Sequence, residues 1–245
     1  MIDRALVEGV ELLCLDAGNT IIFLDHARIA QFLASRGVEV STSALIVAEG
    51  VAKRGLEGDG SGELVPIRWT HQAAPGAHGW GLVIGTTISL GGAPPERVPE
   101  LLDALWEDHV RYNLYSRIPP GLPAALDRLR ASGVKVAVIS NSEGMLARLF
   151  EQLELLSHVD RVVDSSIVGV EKPDPRIFSF ALEAFGISKG RALHLGDTVA
   201  TDVAGARAAG IRTALIDPFA HYTNLHADVP RVESVEEVVD AILAL

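Results

Sequence analysis

Cysteine is nearly absent from this chain. Cys14 is the single one in 245 residues, which excludes a disulfide framework and any metal site built from several thiolates, and fits a reducing compartment. It lies inside an apolar run and reads as core packing. Positive charge is also scarce: 21 Lys and Arg stand against 32 Asp and Glu, a formal net charge of -11. No basic tract offsets the repulsion this creates toward a nucleic-acid backbone or an anionic membrane, so neither is expected as a partner. An anionic small substrate requires positive charge from individual side chains. No apolar run is long enough to span a bilayer, and the first residues, MIDRALVEGVE, lack a basic segment followed by a long apolar one. The expectation is a cytoplasmic globular protein, with no repeat or low-complexity tract and, at 48% hydrophobic residues, enough apolar material for a substantial core.

What is present begins with Leu12-Leu13-Cys14-Leu15-Asp16-Ala17-Gly18-Asn19-Thr20, an apolar run of strand length ending in a carboxylate, a glycine and small polar residues. A fully buried parallel strand has this composition, and the loops at the carboxyl ends of such strands line the ligand crevice of an open sheet. Taken alone, an Asp at that point equally reads as a turn or helix cap.

From about Leu24 to Arg117 the texture changes to helical spacing and loops rich in Gly and Pro. Helices are expected over Ala27 to Ser35, Ser43 to Arg54 with Ser41 or Thr42 as cap, Trp80 to Leu90 and Pro95 to Arg111, with a Gly-rich acidic loop between Gly55 and Gly62. After Pro119 strands and helices alternate. Strands are expected at Val134 to Ile139, Arg161 to Val163, Ala192 to Leu195 and Thr213 to Ile216. Helices are expected at Leu122 to Ser132, Gly144 to Leu153, Pro175 to Phe185, Asp202 to Ala209 and Val235 to Leu243. This order predicts an α/β fold, a doubly wound parallel sheet with helices on both faces, interrupted by a helical insert.

Polar residues follow several of these strands in order: Asp16, then Ser140 and Asn141, then Lys172 ahead of a helix, then Asp197 and Asp202. Singly, each has an ordinary reading. Ser-Asn after a strand makes a turn, Lys172-Pro173-Asp174-Pro175 enters a helix, and Asp202 complements a helix dipole. His194 reads as a packed core residue rather than a ligand. Together, LDAGNT, ISNS, VEKPDPRIF and LGDTVATD resemble the motifs of the haloacid dehalogenase superfamily, most of whose members are Mg²⁺-dependent phosphatases with a helical cap inserted after the first strand. The resemblance covers the whole chain. It implies a Rossmann-like core at residues 1–22 and 118–245 and a cap at residues 23–117. It also implies a small phosphorylated substrate and Asp16 as the nucleophile, with Ser140 and Lys172 binding phosphate oxygens and Asn141 fixing the loop or the substrate. Mg²⁺ is the implied cofactor, held by Asp16, the Gly18 carbonyl, Asp197 and Asp202. The chemistry is consistent: carboxylates are the hard oxygen ligands Mg²⁺ prefers, and a metal and a lysine remove the repulsion between a carboxylate nucleophile and a phosphate.

One position departs from the pattern. Phosphatases of the superfamily carry a second aspartate two residues after the nucleophile, as general acid and then base, and here that residue is Gly18. Candidates to replace it are Asp25, His26, His71 and His78, each of which also reads as a surface or packing residue. The gap keeps other readings open. Haloacid dehalogenases lack that aspartate but usually depart from the paired acids kept here at Asp197 and Asp202. Phosphonoacetaldehyde hydrolases use a cap lysine, and the insert has one lysine, Lys53. A protein that binds a phosphorylated ligand or a partner without turnover is the third. Arg68, Trp69, His71, His78 and Trp80 are the insert residues whose chemistry suits substrate contact, although Trp69 and Trp80 also suit a core.

Overall fold

The computed structural model describes residues 2–74, 77–142 and 144–245. The chain divides into two compact units, with boundaries after Phe23, Ser116, Pro218 and Thr223.

The first unit is built on six parallel strands. In chain order its elements begin with α1 (Arg4–Val7) and β1 (Leu12–Leu15). After the second unit come α6 (Leu122–Ala131), β4 (Lys135–Ser140), α7 (Leu146–Gln152), β5 (Arg161–Asp164), α8 (Ser165–Val168), α9 (Arg176–Phe185), β6 (Ala192–Gly196), α10 (Ala204–Ala209), β7 (Arg212–Ile216), β8 (Arg231–Val232) and α11 (Val235–Leu243). The sheet runs β5-β4-β1-β6-β7-β8, and every pairing is parallel. β1 and β6 are buried along their whole length and β4 at all but its first residue. That is why these segments are largely apolar rather than alternating, with Lys135 and Ser140 at the ends of β4 and His194 within β6 as the exceptions. The connection leaving β1 leads to β4, whereas the one leaving β6 leads to β7 on the other side. The crevice where crossovers diverge therefore opens at the carboxyl ends of β1 and β6.

The second unit is helical. It contains α2 (His26–Ala34), α3 (Thr42–Leu56), α4 (Ala77–Leu90) and α5 (Val98–Arg111), together with Phe219–Thr223. β2 (Phe23–Leu24) and β3 (Tyr115–Arg117) form a separate two-stranded sheet. Asp25 and Ser41 cap α2 and α3 by accepting from Arg28 N and Ala44 N at 2.9 and 3.1 Å. The β-branched run in α4 is helical despite its composition, because Ile84 and Ile88 are fully buried against Leu101, Leu102 and Leu105 of α5. Packing outweighs the small propensity deficit of branched side chains.

One expected element has a different form. Instead of an α-helix starting at Asp202, a π-helical turn occupies Val199–Val203 and α10 follows it. The carboxylate of Asp202 accepts from Thr198 N at 3.1 Å and from Thr198 Oγ1 at 2.7 Å, which draws the side chain back across the turn and widens it. Among the described residues no helix is long and apolar enough to cross a membrane.

Candidate active site

Asp16 follows the last residue of β1, and its N–H donates to Leu195 O of β6 at 2.8 Å. The chain then turns tightly. Ala17 O accepts from Ile21 N and Ile22 N at 3.0 Å each, and Asn19 adopts a left-handed φ of 53°. Asn tolerates that region better than most residues, which suits Asn19 to the bend. Gly18 is held between them by a bridge to Ile22.

Asp197 stands at the equivalent point after β6, and Asp202 reaches the same place from the π-helical turn. Carboxylate oxygens of Asp16, Asp197 and Asp202 lie within 4.8 Å of one another, and all three residues are buried. A Cβ at Gly196 would stand 2.2 Å from Asp202 Cγ, so the strand must end in glycine for that carboxylate to lie across it.

Lys172 completes the group. It lies in the segment between α8 and α9, almost fully buried, and its Nζ donates to Asp16 Oδ1 at 2.5 Å and to Asp202 Oδ1 at 2.6 Å. Asn141 fixes the Lys172 main chain from both sides: its Oδ1 accepts from Lys172 N at 2.7 Å and its Nδ2 donates to Lys172 O at 2.9 Å. These two bonds tie the loop after β4 to the Lys172 segment. Ser140 is the last residue of β4, buried, and two positions beyond Val138, the register partner of Leu15.

The electrostatics follow from this crowding. Burial, reinforced by the charges of Asp202 and Asp197, raises Asp16 to about 7 against the opposing pull of Lys172. Burial also acts to raise Asp202, but Lys172 and His194 outweigh it and hold that carboxyl well below the usual range. Burial likewise disfavours the Lys172 ammonium, yet Asp16 and Asp202 more than reverse this and hold it charged. A single buried cation thus faces three converging carboxylates. The residues fit a hard divalent cation, since the donors are all oxygen and the negative charge exceeds what Lys172 neutralises.

Two contributors to this site are not among the candidate residues singled out from the motifs. Thr198 holds one oxygen of Asp202. On the other, His194 Nε2 lies 3.0 Å from Oδ1, with the imidazole fully buried in β6. The available signal is a lone polar residue in an otherwise apolar strand, two positions before Gly-Asp.

The four candidates for the missing acid all belong to the second unit. Asp25 is the cap of α2. His26 is fully buried with Nε2 2.8 Å from Glu49 Oε2, and His71 Nε2 stands 3.8 Å from Glu107. His78 lines a cavity of about 410 Å³ with Arg68 and Trp69. Trp69 and Trp80 are buried against each other and Trp106, so they serve the core of this unit.

The model of the haloacid dehalogenase-like hydrolase family matches residues 10–210. A phosphoserine phosphatase of Thermus thermophilus is 38% identical over 138 residues, 55% of this chain and 53% of that one. A ribulose-1,5-bisphosphate 5-phosphatase of Halopiger xanaduensis is 32% identical over 133 residues, 54% of each. The chain thus spans about half the length of these curated relatives. Among solved structures, a magnesium-bound HAD-hydrolase of Bacillus subtilis aligns with a TM-score of 0.60 at 13% identity, over 96% of this chain and 99% of that one. This last match speaks to the fold.

Proposed function

The chain belongs to the haloacid dehalogenase-like hydrolase family, and from that premise we propose that it is a Mg²⁺-dependent phosphatase of a small phosphorylated metabolite, acting through an aspartyl-phosphate at Asp16. The observation that carries this reading is the ammonium of Lys172 shared between Asp16 and Asp202, with Asp197 in the same buried cluster. The phosphatase names of the Thermus and Halopiger relatives support it.

An oxygen of Asp16 attacks phosphorus, the bond to the ester oxygen breaks, and the alkoxide leaves with the bonding pair and takes its proton from water, since Gly18 has none to give. Water then attacks phosphorus, returning the carboxylate and releasing inorganic phosphate. Lys172 and the Ser140 hydroxyl bind non-bridging oxygens in a water-poor site where such contacts are strong. Asn141 keeps Lys172 at its station. Asp16, Asp197, Asp202 and the Gly18 carbonyl would hold Mg²⁺, which would supply the positive charge that lets an anionic nucleophile approach a phosphate. The second unit is read as the cap that selects the substrate.

The test is hydrolysis of an aryl phosphate with Mg²⁺ and with chelator, beside halide release from a 2-haloacid. The phenolate leaves with little help from an acid, so Gly18 is no obstacle. The expected result is phosphate release that requires Mg²⁺ and disappears in Asp16→Asn. Metal-independent halide release without phosphate would replace the reading with dehalogenation.

A further inference from the structure

His194 is out of place by composition. Its strand is otherwise Ala192, Leu193, Leu195 and Gly196, all buried, and it packs edge-on against Phe178 with ring centroids 5.0 Å apart. An apolar side chain of similar size would meet every packing need of that position, whereas a buried imidazole requires a hydrogen-bond partner. Its partner is Asp202 Oδ1, the same oxygen that accepts from Lys172. Because an ionised carboxylate only accepts, Nε2 carries the proton and donates.

The route between the two residues is also built. Residues two apart in a strand share a face, so His194 and Gly196 lie on the same side of β6. The missing side chain of Gly196 is the space the Asp202 carboxylate occupies. Asp202 thus has donors on both oxygens, Lys172 and His194 on Oδ1, and Thr198 N and Oγ1 on Oδ2. Rotation of the carboxylate breaks bonds at both ends.

We propose that His194 is a positioning residue that acts through Asp202, fixing the orientation of that carboxylate and, through the shared oxygen, the station of the Lys172 ammonium beside Asp16. This rests on the Mg²⁺ phosphatase reading and adds a residue outside its motif set.

The experiment compares wild type with His194→Leu, which loses the donor, and His194→Gln, which keeps an amide N–H at comparable reach; His194→Met is a second apolar replacement should the leucine variant not fold. Folding is checked by circular dichroism in chelator. Mg²⁺ affinity is measured by calorimetry, and kcat and KM on the aryl phosphate separately. Donors that hold a metal-binding carboxylate typically contribute about 10–100-fold, so the apolar variants are expected to bind Mg²⁺ at least about 10-fold more weakly, with lowered kcat, and His194→Gln to recover most of both. Wild-type affinity and kcat in a folded apolar variant would overturn the assignment. So would a glutamine variant as impaired as the leucine one, since packing and not donation would then matter. Wild type that binds no Mg²⁺ would overturn the phosphatase reading itself and this role with it.

Discussion

Gly18 is the residue on which the chemistry turns. General acid catalysis is worth about 10²–10⁴-fold, and a glycine two residues after the nucleophile provides none of it. The proposed enzyme therefore discriminates by leaving group. Gly18→Asp is expected to accelerate hydrolysis of an alkyl phosphate by at least about 10-fold while changing an aryl phosphate much less. Steady-state rates on the two esters check this. Equal effects on both would mean that the acid is supplied elsewhere or that leaving-group departure does not limit the rate.

At the scale of elements, both units rely on glycines that admit a neighbour's side chain. Gly196 leaves room for Asp202 at the end of β6. In α3 a Cβ on Gly50 would stand 2.5 Å from His221 Cδ2, and this close approach seats the segment Phe219–Thr223 within the helical unit. That segment is further held by Arg54 Nη1 donating to His221 O at 2.6 Å and by Tyr222 Oη donating to Glu57 Oε1 at 2.7 Å. Gly50→Ala is expected to cost about 1–3 kcal/mol through overpacking. Adding His221→Ala should return most of that loss, because it removes the ring the new methyl meets. Urea denaturation midpoints of the two single variants and the pair test this; additive losses would count against it.

At the scale of the whole molecule, the site draws on stability when no metal is bound. Burial and the neighbouring Asp202 and Asp197 raise Asp16 from 3.8 to about 7. Between those values the folded state retains a proton that the unfolded chain has released, so stability falls as pH rises toward about 7 and then levels off. Asp16→Asn lacks this slope. In chelator, its advantage in melting temperature over wild type should be absent near pH ~4 and reach its maximum at pH ~8. Mg²⁺ should narrow or reverse the difference, since ligand at 100 times Kd adds about 2.7 kcal/mol to whichever form binds it. A pH-independent difference in chelator would show that Asp16 is not the strained group.

Much of this was legible in the chain. The central strands are buried on both faces, so Leu12–Leu15, Lys135–Ser140 and Ala192–Gly196 are largely apolar, His194 being the polar residue inside them, and end abruptly at the polar loops, which makes both the parallel sheet and the candidate carboxylates readable. Ser41 before α3 and Gly186 after α9, with a φ of 65°, mark helix ends by local chemistry alone. The four-residue α1 and α8 and the two-residue β2 and β8 leave no periodicity to read. What only the tertiary structure decided depends on contacts between residues distant in sequence or on turns wider than any pattern records. Asn141 reaches Lys172 across 31 positions, Phe219–Thr223 joins helices some 165 positions earlier, and the π-helical turn brings Asp202 back over Gly196 toward His194. A histidine in an apolar strand looks like core until its partner is in place; the sequence determined that it is buried, and the fold determined what it holds.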